Sequence, residues 1–188
     1  LSDTTNVIAE GEVQQLVNAK DPNVSEANYF NVIDKKTAIL FAAACESAAV
    51  LCGATPEQRK ALSTYGLKVG VAFQLVDDAL DYTGDAATLG KNVGDDLAEG
   101  KPTLPLIHAM RQGTPEQAEV IATAIRNGDA SLLPQVLEIV QATGGMDYTL
   151  ECARDQVRQA IEVLQQLPAN EFTEAMKQVA EFSLARTY

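Results

Sequence analysis

The feature that most limits what this chain can become is a run of acids in apolar surroundings, Phe73-Gln74-Leu75-Val76-Asp77-Asp78-Ala79-Leu80-Asp81. It closes a segment, Ala61 to Tyr82, that otherwise reads as a buried helix. At about 100° of turn per residue, Gly66, Gly70, Gln74, Asp77/Asp78 and Asp81 fall along one stripe. Three carboxylates so close together repel one another and resist burial, so something positive must neutralise them. A divalent metal held by oxygen ligands meets that need, and Mg²⁺ in particular takes one or two carboxylates together with substrate phosphates. Spacing alone leaves one alternative open, a solvated acidic patch at a helix end.

The rest of the composition narrows the partners. A formal charge of −12 over 188 residues argues against nucleic acid and against anionic membrane surfaces, while local lysines can still receive an anionic small molecule. With 46% apolar residues there is ample material for a core, and one domain is expected. No apolar run approaches the roughly 18 residues of a membrane span, and the first residues lack a basic-then-apolar leader. The three cysteines form no C-x-x-C pair, so Cys45, Cys52 and Cys152 read as small core residues in a reducing cytoplasm. A single histidine, His108, gives little support to zinc chemistry or a Ser-His-Asp triad and reads as structural.

Along the chain, Val7, Ile8, Val13, Leu16 and Val17 are spaced for a helix face over residues 1–19. Asp21-Pro22-Asn23 is a turn, after which Ser25 caps a long helix to about Leu51 with Gly53 as its stop. The part from Thr37 to Cys52 is apolar nearly all round and is expected to be a central, buried helix; Asp34-Lys35-Lys36-Thr37 is a polar island before it. Thr55-Pro56-Glu57-Gln58 and Thr114-Pro115-Glu116-Gln117 are capping boxes with proline at the first helical position. Between Thr83 and Gly100 the helical period is lost in a glycine-punctuated loop holding Lys91, Asp95 and Asp96, with Lys101 just after it. Pro102 starts a short apolar helix, and further helices are expected at about 115–126, 131–142, 146–166 and 170–186. Strand signals are absent, so the expected class is all-α.

The polar islands are therefore Lys36-Thr37, then Gln74 with Asp77, Asp78 and Asp81, then Lys91, Asp96 and Lys101. Acids able to hold Mg²⁺ and lysines able to hold phosphate oxygens would together bind a diphosphate and stabilise the charge that develops as it leaves. The apolar helix from Ala42 to Val50 would offer a wall for a hydrocarbon tail.

These residues carry a resemblance. F-Q-x-x-D-D-x-x-D at 73–81, K-T at 36–37 and G-K-N-V-G-D-D-x-x-x-G-K-P-T at 90–103 resemble the trans-prenyl diphosphate synthases. With G-E-V-Q-Q-L at 11–16, the wording is closest to the bacterial long-chain branch that makes ubiquinone side chains. The match runs along essentially the whole chain in three ordered motifs, far more specific than a lone D-D-x-x-D. The resemblance implies the all-α isoprenoid synthase bundle around a central cavity. It also implies an Mg²⁺-dependent transferase that joins an allylic diphosphate to isopentenyl diphosphate in the cytoplasm, as a homodimer. In that family's terms Asp77 is the direct Mg²⁺ ligand, supported by Asp78 and Asp81, with Asp96 behind them. Lys36, Lys91 and Lys101 grip the allylic diphosphate, Thr37 and Gln74 hydrogen-bond it, and Phe73 lies near the isopentenyl site. Glu12 and Gln15 face the cavity.

The departure from the family pattern is as informative. Family members carry a first aspartate-rich motif and an upstream G-G-K-R-x-R-P-type segment, and the only D-D pairs here are 77–78 and 95–96. The expectation is that residues 1–188 are the C-terminal portion of a single longer domain, with the N-terminal half missing or supplied as a separate fragment, and that this chain alone is inactive. Two other classes compete: a non-catalytic subunit or packing module of a prenyl synthase complex, and another Mg²⁺-dependent all-α diphosphate enzyme such as a pyrophosphohydrolase or terpene cyclase.

Overall fold

The structure is a computed structural model that describes residues 1–83 and 93–185. Its elements are α1 (Ser2–Asn18), α2 (Glu26–Ile33), a π turn (Asp34–Ala38), α3 (Ile39–Leu51), α4 (Pro56–Leu80), α5 (Asp95–Ala98), α6 (Leu104–Gln112) and α7 (Pro115–Asn127). A 3₁₀ turn (Ala130–Leu132), α8 (Leu133–Ala142), α9 (Gly145–Leu164) and α10 (Glu171–Phe182) follow. Among the described residues there is no strand, and the class is all-α as the sequence predicts.

Local chemistry explains most boundaries. Asp21 accepts the Asn23 backbone N–H at 2.9 Å and turns the chain after α1. Ser25 accepts the Asn28 N–H at 3.2 Å and starts α2. Both capping boxes form reciprocally: Thr55 with Gln58 (3.0 and 3.3 Å) launches α4, and Thr114 with Gln117 (2.9 and 3.3 Å) launches α7. Asn170, with Thr173, caps α10 in the same way.

Three expectations need correction. The single helix expected from Ser25 to Leu51 is interrupted by the π turn, which falls on the polar island Asp34-Lys35-Lys36-Thr37. Such a widened turn adds a residue to the helix without ending it. The second concerns α3. It is not a buried central helix within this chain: Ala42 and Ala49 are buried, yet Leu40 and Val50 are about half exposed and Leu51 is 87% exposed. Phe41 packs against the first unit's core beside the buried Ala42, while Leu40, Val50 and Leu51 lie on the uncovered side. The cysteines also depart from a core reading, with Cys52 exposed and Cys45 and Cys152 only partly buried.

The helices sort into two compact units. The first gathers residues 1–12, 31–76 and the tail from Cys152 onward; the second comprises Val13–Phe30 and Asp77–Glu151. In the first unit Tyr65, Val69 and Ala72 of α4 pack with Val157, Ala160 and Leu164 of α9 and Ala180 of α10. The Tyr65 phenol donates to the Met176 carbonyl at 2.7 Å. Backbone proximity sets the α3–α4 crossing: a Cβ on Gly70 would lie 2.6 Å from the Ala38 Cα, so only glycine fits. In the second unit Leu106 and Ala109 of α6, Ile121, Ala124 and Ile125 of α7 and Val136 and Val140 of α8 form the core, joined by Tyr82 and Leu97.

Candidate functional site

In the first unit, the close crossing at Gly70 carries the polar island of the π turn up to the next turn of α4. There the Thr37 hydroxyl donates to the Gln74 side-chain carbonyl at 2.9 Å. Gln74 is buried, and a buried amide needs such a partner. Phe73, the residue before it, rests against Phe41 of α3, with ring centroids 5.5 Å apart. Lys36 is partly buried in the π turn. Burial holds the Asp34 carboxyl above the usual range, and the charge of Lys68 partly offsets that rise.

In the second unit, the end of α4 carries the acids. The Asp81 N–H still bonds the Asp77 carbonyl at 3.2 Å, so helical geometry continues past Leu80 and places both side chains on one face, a turn apart. Asp78, one residue round from Asp77, is buried and accepts a hydrogen bond from the Tyr29 phenol at 2.5 Å. The chain returns at 94–96 to close this end: the Gly94 N–H meets the Asp81 carbonyl at 2.9 Å, and the Asp96 N–H meets an Asp81 carboxylate oxygen at 3.1 Å. Burial first, and then the charges of Asp96 and Asp95, push the Asp81 carboxyl up to about 6. The backbone bonds that Asp81 accepts only partly offset that rise.

Lys101 is the cation of this unit's acid cluster. Its ammonium lies 2.9 Å from Asp96 and 2.7 Å from Glu99. Burial pulls its pKa down, but the hydrogen bonds and charges of those two carboxylates outweigh this and hold it above the usual lysine value. The sequence assigns Lys101 to a phosphate and Asp96 to a metal, and here the two pair with each other. Tyr82, fully enclosed, receives a hydrogen bond from the Thr103 hydroxyl at 3.2 Å, and burial drives its phenol pKa well upward.

The remaining assignments are quickly placed. Lys91 lies outside the described residues. Glu12 is exposed on α1, and Gln15 is partly buried. His108 stacks on Tyr148 with centroids 4.1 Å apart, consistent with a structural role. Sequence reasoning missed Tyr29. The only signal was general, since a tyrosine hydroxyl that becomes buried has to find an acceptor; nothing in the sequence named Asp78. It also missed Glu26, which receives both Arg111 (2.8 Å) and the Tyr148 phenol (2.6 Å).

Among the described residues no three His, Cys, Asp or Glu side chains come together as a complete metal cage. Asp77 and Asp81, partly buried and a turn apart, instead offer a two-carboxylate platform of hard oxygen donors. The raised Asp81 carboxyl reflects burial first and the neighbouring charges of Asp96 and Asp95 second. That donor set fits an Mg²⁺-like cation whose other ligands are water and phosphate oxygens.

Comparison with known proteins agrees with the fold. The family described as Polyprenyl synthetase matches residues 1–141. Octaprenyl diphosphate synthase of Escherichia coli (strain K12) is 51% identical over 187 residues, which are 99% of this chain and 58% of that protein. An all-trans-nonaprenyl-diphosphate synthase of Rhodobacter capsulatus is 45% identical over 95% of the chain and 55% of its own length. Among solved structures, a polyprenyl synthase from Caulobacter crescentus CB15, complexed with calcium and isoprenyl diphosphate, superposes with a TM-score of 0.93 at 45% identity. That match covers 99% of this chain and 57% of the other. The chain thus spans somewhat over half the length of the relatives it matches.

Proposed function

Because this chain belongs to the polyprenyl synthetase family, we propose that it is the C-terminal portion of a chain-elongating trans-prenyltransferase. In that reading the enzyme condenses an allylic diphosphate with isopentenyl diphosphate: the allylic C–O bond breaks and pyrophosphate leaves. The isopentenyl double bond then forms the new C–C bond, and a proton is lost. The similarity to octaprenyl diphosphate synthase favours a long product, octaprenyl diphosphate, for quinone side chains. We place the enzyme in the cytoplasm as a homodimer; no helix among the described residues is long and apolar enough to cross a membrane. The N-terminal half, with the first aspartate-rich motif, is supplied by a longer chain or a separate fragment.

The observation that carries this reading is the end of α4, where Gln74 is already hydrogen-bonded by Thr37 and Asp77 and Asp81 stand a turn apart as oxygen donors. In the first unit, Lys36 supplies a cation and the Gln74 amide N–H a hydrogen bond to diphosphate oxygens, which the Thr37 hydroxyl joins once it turns from Gln74, with Phe73 as an apolar neighbour for the isopentenyl group. In the second unit, Asp77 and Asp81 would hold Mg²⁺, Asp78 would support them, and Asp96 would lie behind. Lys101 serves the leaving diphosphate once it is released from Asp96 and Glu99, and Lys91 adds a further cation. Bound Mg²⁺ would neutralise the acids and polarise the departing diphosphate.

One assay of the full-length protein tests this, with Mg²⁺, farnesyl diphosphate and isopentenyl diphosphate and chain extension as the readout. Asp77→Ala is expected to lower the rate by about 10²–10³-fold with the assembly state unchanged. An unchanged rate contradicts the enzyme and favours a packing module. The 188-residue chain, run beside it, is expected to give no extension, and robust turnover would contradict that.

A further inference from the structure

We propose that Tyr29 is a positioning residue for the acidic end of α4: its phenol anchors Asp78 so that the adjacent Asp77 is presented to a divalent cation. The inference rests on the reading of Asp77 as an Mg²⁺ ligand. Tyr29 and Asp78 are 49 positions apart in sequence, lie in the same unit and are 5% and 4% exposed. Their O···O separation of 2.5 Å falls in the range of charge-assisted O–H···O⁻ bonds, about twice as strong as neutral ones.

A buried phenol needs some acceptor, and a backbone carbonyl suffices. Tyr65 uses the Met176 carbonyl in this way. Tyr29 instead meets a carboxylate, which costs free energy to bury. That cost has a geometric return. Successive side chains on a helix point about 100° apart, so Asp78 turned to Tyr29 leaves Asp77 facing a different direction. Asp81, a turn beyond, lies about 40° round the helix from Asp77 and about 60° from Asp78, nearer the direction of Asp77. The D-D-x-x-D pattern then divides its work: Asp78 fixes the rotation of the last turn, and Asp77 is turned, with Asp81 beside it, to the direction from which a cation would be held. Partners that orient a metal's ligands without touching the metal are worth about 10–100-fold in its affinity.

The test measures, by calorimetry on the full-length protein, the Mg²⁺ concentration that half-saturates binding of inorganic pyrophosphate. Tyr29→Phe is expected to raise that concentration about tenfold, and Asp77→Ala to abolish Mg²⁺-dependent binding. If Asp77→Ala abolishes binding and Tyr29→Phe leaves the Mg²⁺ requirement unchanged, the positioning role is overturned and the proposed function stands. If Asp77→Ala has no effect, both are overturned. Should Tyr29→Phe fail to fold, the comparison moves to Asp78→Ala against Asp78→Ala/Tyr29→Phe, where no buried carboxylate is left unpaired. With the anchor already lost, removing the phenol is expected to add less than about twofold, and a further tenfold change would overturn the proposal.

Discussion

The two ends of the polar stripe on α4 solve the problem of burying polar groups in opposite ways. At Gln74, in the first unit, a neutral amide meets the neutral hydroxyl of Thr37. Farther along, in the second unit, Lys101 pairs with Asp96 and Glu99, while burial and then the charges of Asp96 and Asp95 raise Asp81 to about 6. The Thr37–Gln74 pair is stable as built. At the acid cluster, burial and neighbouring charge make the ionised Asp81 costly at neutral pH, a cost that a further cation would offset. Local conflicts of this kind between stability and composition are what functional sites tend to show.

That contrast can be tested by substitution. The larger effect is expected at Asp81. Its folded pKa lies above the usual carboxylate value of about 3.9, so the native state holds the proton more tightly than the unfolded chain does. The stabilisation from binding that proton is fully present below about pH 4 and is lost as pH rises through about 6. Asp81→Asn, which can still accept the Asp96 N–H, should therefore stabilise the metal-free protein at pH 8 by about 1 kcal/mol, after allowing for solvent screening at a half-exposed carboxylate. Near pH 4 the gain should vanish, and saturating Mg²⁺ with pyrophosphate should shrink it at pH 8. Urea unfolding at the two pH values measures this, and a gain equal at both would remove the contrast.

The smaller effect is expected at Thr37. Thr37→Val removes the donor to Gln74 and should cost about 0.5–1 kcal/mol in the same urea experiment. The loss should be independent of both pH and Mg²⁺, because no charge is involved. A pH-dependent loss would mean that the neutral pair is tied to the acids after all.

Much of this arrangement could be read from the residues, for reasons that differ by element. The capping boxes at Thr55 and Thr114 and the acidic stripe on α4 are local patterns, and local patterns survive folding. The π turn fell on the polar island, but nothing in Asp34-Lys35-Lys36-Thr37 announces a widened turn, so α2 and α3 read as one helix. The all-round apolar character of α3 was legible, yet burial depends on neighbours: within this chain they cover Ala42 and Ala49 and leave Leu51 exposed. Tyr29 against Asp78, and Lys101 between Asp96 and Glu99, depend on tertiary approach that side-chain periodicity does not encode. The Lys36, Gln74 and Asp77 assignments came from motif wording, and the structure adds the Thr37 contact and the helical turn that joins Asp77 to Asp81.

The most direct test of the account is the thermal shift of the full-length protein with Mg²⁺ and inorganic pyrophosphate, added singly and together. The account predicts that the two together raise Tm by several degrees, on the order of the 2–3 kcal/mol expected at about a hundred times Kd. It also predicts that EDTA abolishes the shift and that Asp77→Ala does not show it. An equal shift from pyrophosphate in EDTA, or in Asp77→Ala, would contradict the claim that the acids at the end of α4 take a metal–diphosphate.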